Sequence, residues 1–150
     1  MNLTQKELHF LSVYINNMIS LWKDEYALGI ERIDKQHKYF VGLIEKVHGA
    51  IETATHNQEL EKILDDLVEY AQYHFKTEEA YFDLFEYEFS EEHKKEHKKL
   101  LQDVLDFYEQ YKEDRTVSLA EFTEFLTDWL IEHIGSEDRK YIQCFHEHGL

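Results

Sequence analysis

The sequence predicts an all-α protein: an antiparallel, up-down-up-down four-helix bundle preceded by one additional N-terminal amphipathic helix. The 150 residues include no proline and five glycines, so few positions interrupt a helix and few turn residues separate strands. Apolar residues recur at alternating intervals of three and four, which is typical of a helix face packed into a bundle. A chain of this length forms one ordinary domain whose core needs no disulfide.

Three short polar segments divide the chain after residue 30 into four helix-length parts. They lie near Thr55–Gln58, Glu86–Glu91 and Glu113–Ser118. The tetrads that begin at Thr4 and Ser118 match the capping box, which predicts a helix start at each. We therefore predict an N-terminal extension over residues 1–20 and a bundle domain over residues 21–150.

The extension carries its own apolar stripe. Leu8, Leu11, Ile15 and Met18 step by three, four and three, and Tyr14 and Ile19 widen the apolar side. Such a helix either caps the bundle or contacts a second copy or a partner domain, because the same stripe serves both. The sequence leaves both interpretations open.

Each of the four bundle helices carries at least one histidine on its predicted inward face. These faces are Ile33, His37, Phe40, Ile44, Val47 and Ile51; Ile63, Leu67, Tyr70, His74, Glu78 and Tyr81; His93, His97, Leu100, Val104 and Tyr111; and Phe122, Leu126, Trp129 and His133. One core histidine is more often satisfied by hydrogen bonds than by a metal. Five inward imidazoles with two carboxylates would be very costly to bury without an ion to coordinate them.

The spacing of the polar residues supports a metal centre. His74 and Glu78, like His93 and His97, are four residues apart and project from one helix face. Asp138 follows His133 by five residues, which turns its side chain about 140° away on an ideal helix. We therefore predict a local distortion there, such as a single wide turn. The candidate ligands are His37, His74, Glu78, His93, His97, His133 and Asp138.

Imidazoles mixed with carboxylates suit iron, manganese or zinc better than copper(I). If Glu78 and Asp138 each bridge two octahedral ions, and an oxide or hydroxide bridges them as well, about eleven of about twelve coordination positions are filled. One vacancy beside a second redox metal suits a small diatomic ligand, for which dioxygen is the natural candidate.

Composition disfavours several other partners. The net charge of −16 would repel nucleic acid and anionic membrane surfaces. The single cysteine, Cys144, cannot form an internal disulfide, and the N-terminus lacks the features of a signal peptide. We expect a cytoplasmic protein without a membrane span.

Four motifs carry a resemblance to a known family. They are Trp22-x₃-Tyr26 followed by Gly29-Ile30-x₂-Ile33-Asp34-x-Gln36-His37; His74-Phe75-x₂-Glu78-Glu79; His93-x₃-His97; and Trp129-x₃-His133-Ile134-x₃-Asp138-x₂-Tyr141. Together they resemble the bacterial branch of the hemerythrin family, over nearly all of residues 22–141. The chain departs from many relatives at Tyr87-Glu88, where they have Tyr-Pro, and in its N-terminal extension.

The resemblance implies a non-haem centre of two iron ions joined by an oxide or hydroxide. It implies that His93, His97 and His133 hold the filled iron, and that His37 and His74 hold the open iron, where O₂ binds. Glu78 and Asp138 would bridge the two.

The expected role is reversible O₂ binding for transport, storage or delivery, without enzymatic activity. An O₂ or redox sensor domain is the alternative, supported by the extension alone. A di-iron oxidase, peroxidase or nitric oxide reductase ranks lower, because Glu45–His48 is the only Glu-x-x-His sequence. Iron handling would require iron beyond two ions. Aromatic walls are expected to keep bound oxygen dry: Phe75, Phe82, Phe85, Trp129 and Tyr141.

Overall fold

The computed structural model describes residues 21–53 and 57–150. Within them, four long helices run over Glu31–Glu52 (α1), Asn57–Leu84 (α2), Ser90–Glu113 (α3) and Leu119–Gly135 (α4). A 3₁₀ turn at Asp24–Tyr26 precedes α1, and another at Asp138–Tyr141 leads into a short helix, Ile142–Glu147 (α5). The predicted all-α class is confirmed, and the predicted breaks near Glu86–Glu91 and Glu113–Ser118 lie at ends of the described helices. The predicted N-terminal helix and its capping box at Thr4 lie outside the described residues.

The four long helices enclose one core. Helix α1 packs against α2 and α4, and α2 also packs against α3. Phe107 of α3 stacks on Phe122 of α4 with ring centroids 3.9 Å apart, which closes the bundle on its fourth side. No helix among the described residues is long and apolar enough to cross a membrane.

The buried face of α2 differs from the predicted stripe. Leu64 and Phe82 are buried, whereas Ile63, Tyr70 and Tyr81 are only half-buried at the edge of the face. The inward face is therefore rotated by about one residue. Because α2 packs between α1 and α3, a wide arc of the helix is covered, and spacing alone does not locate its centre.

The local sequence sets two of the helix boundaries. The Ser118 hydroxyl accepts a hydrogen bond from the Glu121 N–H at 3.2 Å, so Ser118 caps α4 as predicted. Between α2 and α3, Glu86 adopts a left-handed φ of 52°, and the Tyr87 N–H donates to the Phe82 carbonyl at 2.9 Å. This turn forms without proline, and Tyr87 is buried beneath it.

Candidate metal centre

The seven predicted ligand residues meet in the bundle core, toward the end formed by the starts of α1 and α3 and the ends of α2 and α4, and all of them are buried. Their donor atoms form two groups. One contains Glu78, His93, His97, His133 and Asp138, and the other contains His37, His74 and Glu78; within each group the ligand atoms lie within 4.8 Å of one another. The pattern of inward histidines therefore leads to one compact cluster.

Glu78 lies between the two groups and presents one oxygen to each. Its Oε1 is 3.2 Å from Nε2 of His74 and 3.6 Å from Nε2 of His37. Its Oε2 is 3.1 Å from Nε2 of His97 and 3.6 Å from Nε2 of His93. A carboxylate divided in this way is placed to bridge two cations.

Asp138 is divided in the same manner. Its Oδ2 is 3.2 Å from Nε2 of His37, while its Oδ1 is 3.1 Å from Nε2 of His93 and 3.0 Å from Nε2 of His133. Both carboxylates are fully buried. The two bridging positions are thus supplied by α2 and by the 3₁₀ turn after α4.

The spacing of the imidazole nitrogens fits metal coordination. The Nε2 atoms of His37 and His74 are 3.0 Å apart, as are those of His93 and His133, and those of His97 and His133 are 3.3 Å apart. Two nitrogens about 2.1 Å from one ion, at right angles, lie about 3.0 Å from each other. The three Nε2 atoms of His93, His97 and His133 cannot all be paired with one another by hydrogen bonds.

The carboxylate oxygens give a second test of fit. Glu78 Oε2 and both oxygens of Asp138 are buried and accept no well-formed hydrogen bond among the described residues, although imidazole nitrogens lie 3.0 to 3.2 Å from them. A buried charged oxygen that accepts no hydrogen bond is costly, and a coordinated cation removes that cost. These residues therefore fit a pair of cations.

Outer contacts hold three imidazoles with Nε2 toward the cluster. Nδ1 of His74 lies 2.8 Å from Gln36 Oε1, and Nδ1 of His97 lies 3.0 Å from Glu79 Oε1. Nδ1 of His133 is 3.2 Å from Glu96 Oε2. With the hydrogen on Nδ1 and donated to these oxygens, the Nε2 lone pair is left for a metal ion.

No role as outer partners is predicted for these three residues from the sequence. A signal was present, because Gln36, Glu79 and Glu96 each stand beside a candidate ligand. Each nevertheless contacts a histidine of another helix, as Gln36 of α1 does with His74 of α2. The ligand next to each of these residues in the sequence therefore does not identify the histidine that the residue contacts.

The predicted distortion between His133 and Asp138 is confirmed, but its predicted form is wrong. Helix α4 ends at Gly135, and Ser136 leaves helical geometry with φ −124° and ψ −72°. Asp138 then begins a 3₁₀ turn rather than a wide turn. The helix break, followed by a tighter turn, redirects the Asp138 side chain toward the core.

Aromatic rings enclose the cluster. Phe75 stacks on His97 with centroids 3.9 Å apart, and Trp129 stacks on His133 at 4.3 Å. Phe82 lies 4.7 Å from His93. The Tyr141 hydroxyl donates to Glu78 Oε1 at 2.8 Å. Phe85, also expected in this wall, instead stacks on His148, because it lies at the end of the bundle beyond Phe82.

Burial and charge act in opposite directions on the ionisable groups. Burial lowers the pKa of His37 and His93, but the carboxylates of Asp138 and Glu78 outweigh it and raise each pKa to about 9. Burial raises the pKa of Glu78 and of Asp138, but the neighbouring imidazoles lower it more. Both pKa values therefore lie well below the usual range of a carboxyl group. Without metal, protonated imidazoles are therefore the counter-ions of the two carboxylates.

Metal uptake by the metal-free protein is expected to release protons. His37 and His93 are protonated below a pH of about 9, and a metal ion binds only neutral imidazole. Affinity should therefore fall as pH falls below about 9, by about tenfold per unit for each proton displaced. Calorimetry of Co²⁺ binding in buffers of different ionisation enthalpy measures the protons released. An affinity independent of pH between about 6 and 9 would contradict the prediction.

Comparison with known proteins is consistent with this geometry. The family model described as "Hemerythrin HHE cation binding domain" matches residues 28–145. The chain is 32% identical to a bacteriohemerythrin of Clostridium acetobutylicum over 126 residues, which cover 81% of this chain and 98% of the relative. It is 31% identical to a bacteriohemerythrin of Pseudomonas aeruginosa, with 83% of this chain and 80% of the relative covered.

Solved hemerythrin structures are also similar to this chain. A wild-type hemerythrin crystal structure superimposes with a TM-score of 0.75 and 29% identity, covering 84% of this chain and 97% of the other. The crystal structure of a hemerythrin point mutant gives a TM-score of 0.77, also at 29% identity, with 85% of this chain and 97% of the other covered.

Proposed function

This chain belongs to the hemerythrin family, and from that premise we propose that it binds O₂ reversibly at two iron ions in the bundle core, for oxygen transport, storage or delivery. The observation that carries the proposal is the division of Glu78 and Asp138 between two groups of histidines. One group of imidazoles beside two carboxylates would suit a single ion. Two groups that share Glu78, with Asp138 also contacting His37 of the second group, suit a bridged pair.

The two proposed iron positions differ in their number of protein donors. His93, His97 and His133, with Glu78 Oε2 and Asp138 Oδ1, offer five donors to one ion. His37 and His74, with Glu78 Oε1 and Asp138 Oδ2, offer four to the other. If one oxide or hydroxide bridges the pair, six-coordinate ions leave one open position, on the side of His37 and His74.

When bound, the iron pair would supply the two electrons needed for reversible capture of O₂. The protein residues position and shield this site. Tyr141 holds its hydroxyl proton on Glu78 Oε1, which fixes the orientation of that carboxylate. Because His37, Glu78 and Asp138 are 0% exposed, the described side chains keep bulk water away from the proposed ligand position.

Binding without turnover is the role favoured by the donor set. Five imidazoles against two carboxylates make a nitrogen-rich centre, unlike the glutamate-rich centres of ferritin-like catalytic bundles. A sensor role predicts a change in helix positions between oxidised and reduced protein, and an enzymatic role predicts turnover of a second substrate. Each is a measurable departure from simple oxygen binding.

The test is a metal count with optical spectra of protein reduced under nitrogen, exposed to oxygen and returned to nitrogen. We expect two irons per chain, one for each donor group, and a charge-transfer band that appears with oxygen and disappears without it. Zinc, substoichiometric iron or irreversible conversion to the ferric form would contradict reversible binding.

Phe75→Ser is expected to speed the decay of the oxygenated protein to ferric iron by about tenfold or more. Phe75 stacks on His97, so a smaller polar residue there admits water beside the centre. The rate is measured as loss of the oxygenated spectrum in air. Phe85→Ser is the matched control, because that ring stacks on His148 instead. Equal decay rates for wild type and Phe75→Ser would contradict the shielding role.

A further inference from the structure

The two groups of histidines differ in the side chains behind them. The three-histidine group consists of His93, His97 and His133, and the two-histidine group consists of His37 and His74. Two members of the three-histidine group present Nδ1 to a carboxylate: His97 to Glu79 and His133 to Glu96. Negative charge therefore lies directly behind the proposed ion position of this group.

The two-histidine group has an uncharged outer partner. Nδ1 of His74 lies 2.8 Å from Gln36 Oε1, which belongs to a neutral side-chain amide. Nδ1 of His37 is buried and has no hydrogen-bond partner among the described residues. The outer contact of this group is therefore a hydrogen bond without a carboxylate.

Hydrogen bonding fixes which end of the Gln36 amide faces His74. The Thr77 hydroxyl lies 3.1 Å from the Tyr73 carbonyl, which can only accept, so the hydroxyl donates its one hydrogen there. Gln36 Nε2 lies 3.2 Å from the same hydroxyl oxygen and donates to it. Gln36 Oε1 consequently faces His74 and accepts from its Nδ1–H, which leaves the Nε2 lone pair of His74 for a metal ion.

We propose that Gln36 is a positioning residue that keeps the ion at the two-histidine group the more easily reduced of the two. It orients His74 without placing a carboxylate behind that ligand. This inference rests on the proposed function, since it assigns different reduction potentials to the two proposed iron ions.

The physical reason is the charge of the outer partner. A carboxylate that accepts from Nδ1–H raises the basicity of an imidazole ligand and adds negative charge near the ion. Both effects favour ferric over ferrous iron and therefore lower the reduction potential. An amide oxygen accepts the same hydrogen bond without a full charge. One electron from a reductant such as dithionite should thus convert the ion at His37 and His74 from ferric to ferrous first, with no bond to a protein atom broken.

The experiment changes the charge of an outer partner and leaves every proposed metal donor in place. The two one-electron steps of the iron-loaded full chain are followed under nitrogen by potentiometry with optical and electron paramagnetic resonance spectra. Gln36→Glu should lower the potential of the first step by about 59 mV, which corresponds to a tenfold change in the ratio of ferric to ferrous iron. Gln72→Glu is the matched control, because it makes the same change at an exposed position of α2. It should shift the first step far less.

Glu79→Gln is the reciprocal variant. It replaces a carboxylate behind the three-histidine group with an amide, so it should raise the potential of the second step and move the first step less. The Glu79 side chain is 31% exposed, and an amide there costs the fold little. This variant therefore tests the proposal even if Gln36→Glu fails to fold.

Binding of Co²⁺ gives a readout that involves neither iron oxidation nor oxygen. The two-histidine group offers fewer donors and should be the weaker of two Co²⁺ sites. Gln36→Glu should tighten that site by about tenfold, whereas Gln72→Glu should leave it near the wild-type affinity. A protein that shows these shifts but fails to bind oxygen reversibly would contradict the proposed function and support the role of Gln36.

Four results would overturn the proposal. One is a first reduction step that Gln36→Glu leaves unchanged, and another is an unchanged weaker Co²⁺ site in that variant. The third is an equal shift in Gln72→Glu, which would assign the effect to net charge. The fourth is a first step that responds more to Glu79→Gln than to Gln36→Glu, which would place the first electron at the three-histidine group.

Discussion

Glu78→Gln is expected to remove metal from at least one of the two donor groups. Glutamine keeps the shape of the side chain and can still accept the Tyr141 hydrogen bond, but it has lost the charge shared between the groups. A neutral amide bridges two cations poorly, and each group loses a carboxylate oxygen. We expect affinity for at least one ion to fall by more than about 100-fold, with loss of the oxygen-dependent band.

Glu79→Gln is the matched control for this substitution. Glu79 follows Glu78 on the same helix, but its carboxylate contacts Nδ1 of His97 rather than the donor groups. Its replacement is expected to weaken metal binding by about 10- to 100-fold while two ions still bind at saturation. Metal counts by mass spectrometry at saturating Fe²⁺ separate the variants. Two ions in Glu78→Gln would contradict the bridging role.

Removal of both metal ions is expected to lower the free energy of unfolding by several kcal/mol. An ion present at about 1,000 times its dissociation constant stabilises the folded state by about 4 kcal/mol, so two ions give about 8 kcal/mol. The metal-free core keeps two buried carboxylates balanced only by imidazoles. Urea unfolding before and after chelation measures the difference, and coincident midpoints would contradict a metal-filled core.

The stability of the metal-free protein should also depend on pH in both directions. The raised pKa values of His37 and His93 contribute stability that is complete below the unfolded value of about 6.5 and is lost as pH rises through about 9. The lowered pKa values of Glu78 and Asp138 contribute stability above the unfolded value of about 4, lost as pH falls. The metal-free protein should thus be most stable between about pH 5 and 7, and its deficit relative to the metal-bound protein should grow between about pH 6.5 and 9 and level off above that. A deficit independent of pH would contradict this balance of charges.

Helix geometry explains why so much of the candidate site was predictable from the sequence. A residue and the fourth residue after it share a helix face whatever surrounds the helix, so His93 and His97 must project together. The absence of proline and the polar breaks likewise placed the helix ends within a few residues. The inward face of α2 was predicted less accurately, because two neighbouring helices cover a wide arc of this helix.

The sequence by itself determined the all-α class, the four bundle helices and the candidate donor residues, because these depend on spacing within a helix. The tertiary structure alone decided which donor atoms meet. It decided that Glu78 and Asp138 each face both groups, that the chain tightens rather than widens before Asp138, and that Gln36 contacts His74 across the bundle. Those contacts join residues distant in the chain, and their distances depend on how the helices pack, which spacing within one helix does not specify.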